Sequence, residues 1–223
     1  REKPQDKPGH GWHSSDVAQY ISANQELTVL TSHTALFPVP TLPRTVVHPV
    51  IFMRHPIDRV RSIYNFERKQ KAETDGAKIA KQTDMRGYVQ WRLDREGDRA
   101  IENFQAFRLA MAVPGDAPEA DRARDALYLL PFVGVVEYFD LSLRLLQRKL
   151  KPFFPQIDFQ PQKLNVTQKE GETLEQRLES MREALGSDVY ERLEQSNSVD
   201  IALHSLAQKL LLGQFPEGEV VST

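Results

Sequence analysis

The stretch from Pro49 to Tyr64, PVIFMRHPIDRVRSIY, constrains the fold more than any other part of the chain. Val50-Ile51-Phe52-Met53 is a short apolar run of the kind found in buried parallel strands. Pro56 ends it, because proline has no N–H for a ladder and turns the preceding residue, His55, away from helical backbone. A helix is then expected over about residues 57–72, opened by Pro56 or Asp58 and carrying Arg59, Arg61, Ser62 and Tyr64. Arg54 stands at the strand's end. Strand, turn and helix N-terminus together gather an arginine, a hydroxyl and free backbone N–H groups. That combination suits an anion at the carboxyl edge of a sheet.

The remaining sequence surrounds this unit with alternating elements. Residues 1–13 are polar and rich in Pro and Gly, an exposed lead-in. Ser14 or Ser15 is the expected cap of a short helix over 16–22. Strands are expected at 27–30 and 46–53, joined by a stiff loop containing Pro38, Pro40 and Pro43. Residues 73–86 are polar and read as a mobile segment. Helices are expected at 88–92, 100–112 and 119–130, and a strand at 132–136. Two C-terminal helices, 172–185 and 200–212, are separated by Gly186 and Ser196-Asn197-Ser198. The pattern is α/β: one domain over 1–223, a mostly parallel central sheet flanked by helices, and a helical C-terminal part. Leu30, Met53 and Val136 are expected to end near one another at the sheet's carboxyl edge.

Composition removes several classes of function. Lys plus Arg total 29 and Asp plus Glu 31, a net charge of −2, so nothing favours nucleic acid as a partner. An acidic ligand needs a local basic patch, for which Arg59, Arg61, Arg68, Lys69 and Lys71 on one helix are candidates against a plain solvated face. There is no cysteine, which removes disulfides, thiolate ligands and sulfur redox chemistry. No apolar run approaches the roughly 18 residues of a membrane helix. The six histidines show no metal-ligand spacing, and no metal is expected. Neither a GxSxG elbow nor a dinucleotide glycine fingerprint occurs.

The pattern R-x-P-x-x-R-x-x-S-x-Y, from Arg54 to Tyr64, resembles the 3′-phosphate-binding segment of sulfotransferases that use 3′-phosphoadenosine-5′-phosphosulfate (PAPS). The resemblance gives Arg54 and Ser62 the grip on the nucleotide's 3′-phosphate, a task suited to a planar guanidinium fork and a hydroxyl donor. His33, in VLTSHTALF, is similar in place to the presumed general base of the uronosyl 2-O-sulfotransferases, with Ser32-His33 where those enzymes have Gly-His. Phe132-Val133-Gly134-Val135-Val136-Glu137 resembles the family's later strand. Lys163 to Lys169 resembles its nucleotide-closing loop, which puts Asn165, Thr167 and Lys169 beside the cofactor. Asn197 and Asp200 resemble the start of its last helix. Asn103 and Gln105 resemble a polar pair near the acceptor, and Arg59 and Arg61 are further candidates for substrate contact. His55 is the second candidate for the base.

The family implies a P-loop-kinase-like domain, PAPS as sulfuryl donor, PAP (3′-phosphoadenosine 5′-phosphate) as product and a carbohydrate acceptor. Animal Golgi relatives carry disulfides and an anchor; their absence here suits a bacterial, cytoplasmic enzyme. The family's phosphosulfate loop, Pro-Lys-x-Gly-x-Thr/Ser, has no match in the chain, and the expectation is that it precedes Arg1. Two alternatives stay open: a non-catalytic relative that binds nucleotide or glycan, and a nucleotide kinase of similar architecture, although Gly-Lys-Ser/Thr is absent.

Overall fold

In a computed structural model, residues 11–160 and 172–216 are described. In chain order the elements are α1 (Ser14–Ala23), β1 (Ile51–Met53), α2 (Pro56–Lys69), α3 (Asp75–Gln82), α4 (Met85–Leu93), α5 (Phe104–Ala110), α6 (Glu119–Leu129), β2 (Val133–Val135), α7 (Phe139–Leu150), α8 (Leu174–Ser196) and α9 (Ser198–Leu212). A 3-10 turn, Val136–Tyr138, joins β2 to α7. The fold is α/β and predominantly helical. Two compact units divide the chain: Arg1–Pro49 with Phe107–Pro131, and Val50–Ala106 with Phe132–Thr223.

The second unit contains the strand–turn–helix. β1 and β2 pair in parallel with Ile51 opposite Val133, Phe52 opposite Gly134 and Met53 opposite Val135. Gly134 is required there: a Cβ would sit 2.5 Å from the Phe52 ring, which also packs against Phe132 and Phe139. Ser142 of α7 closes the end of β2, its Oγ accepting the Val135 N–H at 2.9 Å and donating back to the Val135 carbonyl. Helix α2 begins with proline at its first turn, where the missing N–H costs no helical bond, and ends with Arg68 and Lys69 against the C-terminal dipole. Its buried face, Ile57, Val60 and Tyr64, joins Tyr88 and Val89 of α4 and Met181, Leu185, Val189 and Leu193 of α8 in the main core. α8 breaks at Gly186, whose φ of +71° is glycine territory, so the expected boundary is a kink in a longer helix.

Several expectations need correction. The expected multi-strand sheet is a two-stranded one among the described residues, so Met53 and the end of β2 meet but Leu30 contributes no strand end. Residues 27–30 form no strand: among the described residues no backbone pairs with them, and Val29 is 71% exposed. The strand expected at 46–53 is only Ile51–Met53, and Val46 is exposed. Within the segment 73–86, expected to be mobile, residues 75–82 form a helix. Thr74 caps it by accepting the Ala77 N–H, and Ala77 and Ala80 are fully buried. α1 is capped at His13, whose N–H is accepted by Asp16, rather than at Ser14 or Ser15. No described helix is long and apolar enough to cross a membrane.

Candidate functional site

The chain leaves β1 at Arg54 and enters α2 two residues later. Gln105 holds this point from both sides: its Oε1 accepts the Arg54 N–H at 2.9 Å and its Nε2 donates to the Arg54 carbonyl at 2.8 Å. Gln105 is in turn fixed by Asp200 of α9, whose carboxylate accepts the N–H groups of Gln105 and Ala106 at the start of α5. Burial pushes the Asp200 carboxyl up despite those bonds. Asn103, with φ +41°, exchanges hydrogen bonds with the α8–α9 junction, donating from N to Asn197 Oδ1 and accepting the Asp200 N–H. The pair assigned to the acceptor by resemblance thus builds the frame behind Arg54.

From this frame the Arg54 guanidinium turns onto Asp58, one helical turn on, with Nε at 2.7 Å and Nη2 at 2.6 Å from Oδ2. Arg177 of α8 takes the other oxygen, Nε to Oδ1 at 3.1 Å, and donates from Nη1 to the Glu172 carbonyl at 2.8 Å. Arg61 faces the Glu172 carboxylate at 3.4 Å. Arg54, Asp58 and Ser62 follow one another at intervals of four, which puts Asp58 and Ser62 on one stripe of α2. Three guanidiniums, of Arg54, Arg61 and Arg177, here meet two carboxylates, of Asp58 and Glu172, and a third carboxylate, Glu137, accepts the N–H of the residue next to Arg54. The Asp58 side chain is 1% exposed and that of Arg54 22%, so solvent reaches the pair from the arginine side.

A second polar group flanks the turn. His55 N–H donates to Glu137 Oε1 at 2.8 Å, and Glu137 Oε2 lies 2.9 Å from His204 Nε2. The rings of His55 and His204 meet edge to face at 5.3 Å, and the buried His55 Nδ1 has no hydrogen-bond partner. Burial, then the neighbouring His204, lower the His55 imidazole to about 4. Burial works to raise the Glu137 carboxyl, but the His204 and His55 contacts outweigh it and hold it below the ordinary range.

The other candidates divide. Arg59 lies 3.7 Å over the Phe104 ring centroid and donates to the Ala100 carbonyl, so its charge is held against α5. Arg68 stacks on Tyr64 and donates to its hydroxyl. His33 belongs to the other unit, on an exposed bend where Ser32 Oγ accepts the N–H groups of Thr34 and Ala35. Asn165, Thr167 and Lys169 lie outside the described residues. Among the described residues no group of three or more His, Asp or Glu is placed to hold a metal ion.

Sequence reasoning missed Arg177. It sits in a helix crowded with charge, LEQRLES, where nothing local sets one arginine apart. The pairing of Glu137 with His204 was equally hidden, although both residues lie in stretches the resemblance singles out.

A protein of Archaeoglobus fulgidus, described as an uncharacterized protein, is 35% identical to the chain over 195 residues, covering 84% of the chain and 77% of the relative. No family model matches the chain, and no solved structure matches it.

Proposed function

We propose that this chain, which belongs to the same family as the Archaeoglobus fulgidus protein, is a carbohydrate O-sulfotransferase of the PAPS-dependent, P-loop-kinase-like type. The observation that carries the reading is the arginine cluster at the end of β1. Arg54, at 22% exposure the solvent-facing member of its pair with Asp58, stands in a group of three arginines, and guanidinium forks suit a phosphate dianion.

When bound, PAPS supplies the sulfuryl group. Arg54 and Ser62 bind the 3′-phosphate, and the Gln105 clamp keeps the Arg54 backbone from shifting as they do so. In this reading His33 takes the proton of the acceptor hydroxyl onto an imidazole nitrogen as the new O–S bond forms and the bond from sulfur to the leaving phosphate oxygen breaks. Positioning and electrostatics account for the remaining acceleration, as in phosphoryl transfer.

Calorimetry on the full-length protein tests the reading. PAP should bind more tightly than AMP, which lacks the 3′-phosphate. Arg54→Ala should cost PAP about 1.5–3 kcal/mol, the range of a charge-assisted hydrogen bond. Equal affinity for PAP and AMP in the parent protein would remove the reading.

A further inference from the structure

We infer that Arg177 is a positioning residue that governs, through Asp58, how firmly Arg54 holds a 3′-phosphate. This rests on the nucleotide-binding reading and adds to it a residue outside the motif, 119 positions from the carboxylate it touches. The Arg177 side chain is 8% exposed and sits on the far oxygen of Asp58, so its effect on an anion at Arg54 passes through that carboxylate.

The physical case starts from what Asp58 would do alone. A buried carboxylate paired only with Arg54 would neutralise it, and an anion would have to draw the guanidinium away and leave Asp58 unpaired. With Arg177 on Oδ1, Asp58 stays partnered when Arg54 engages a phosphate. The second bond of Arg177, to the Glu172 carbonyl, fixes its fork relative to α8.

The experiment compares the affinities of PAP and AMP by calorimetry, with circular dichroism to verify folding. Arg177→Met should reduce the preference for PAP by about tenfold or more, while AMP affinity stays at the parent value, which a merely structural role would not allow. The double variant Asp58→Asn with Arg177→Met should recover much of the preference, because the unopposed carboxylate is gone. A selective parent whose preference survives Arg177→Met, or a double variant no better than the single one, overturns the inference alone. A parent without preference removes the nucleotide reading and this inference together. If Arg177→Met does not fold, Arg177→Lys decides. It keeps the charge, loses the two-pronged hold, and should lower the preference severalfold; an unchanged preference overturns the inference.

Discussion

Glu137 and His204 form a carboxylate–imidazole contact 2.9 Å long with both side chains nearly out of water, 7% and 2% exposed. The other oxygen of Glu137 accepts the His55 N–H, so one side chain fastens the end of β1 to α9. Glu137→Ala would leave the His204 imidazole and the His55 N–H without that partner. It should destabilise the protein by about 3 kcal/mol in urea unfolding. Glu137→Gln, which keeps one acceptor, should lose less.

The same corner predicts a pH dependence. His55 is lowered to about 4, by burial and then by His204, while Glu137 and Asp58 pull weakly the other way and Arg177 adds to the lowering. Between about 4 and 6.5 the unfolded chain takes up a proton at this histidine that the folded chain refuses. The stability is therefore complete above about 6.5 and is lost as pH falls through about 4, by up to about 3 kcal/mol. Glu137, also held low, acts in the same direction below its ordinary range. Thermal melts across this window should show a shallower slope for His55→Asn than for the parent; parallel slopes would remove His55 as the cause.

Gly186→Ala should destabilise α8. The residue has φ +71° and ψ 157°, a region essentially closed to other residues, and a Cβ there would lie 2.6 Å from Arg86 Nη1. Arg86 is also engaged, through the Leu185 carbonyl and a two-pronged contact to Asp188. A loss of about 1–3 kcal/mol is expected in denaturant titration.

His33→Ala separates chemistry from binding. In the proposed reading it should lower kcat for sulfate transfer to a glycan by about 100-fold or more, with the Kd for PAP unchanged. His33 is exposed on a turn organised by Ser32, so the substitution should leave folding intact. Near-full activity in the variant would move the role of base to another residue, His55 first.

Local chemistry made part of this protein legible in the amino-acid sequence. β1, the turn at His55-Pro56 and α2 follow from an apolar run, a proline that starts a helix without loss, and a 3.6-residue apolar period, all within twenty residues. The break at Gly186 is local in the same way, because only glycine accepts that backbone. Tertiary structure decided the rest. The run at 27–30 has strand composition, yet a strand exists only where another backbone pairs with it, and Val29 faces solvent instead. Residues 75–82 look like a polar connection until Ala77 and Ala80 meet the core. The spacing from Arg54 to Tyr64 is visible in the sequence, but the partners that hold Arg54 are not. Arg177 comes from α8 and Gln105 from α5, and hydrogen bonds between residues so far apart in the chain are settled by how helices pack, which no local pattern encodes.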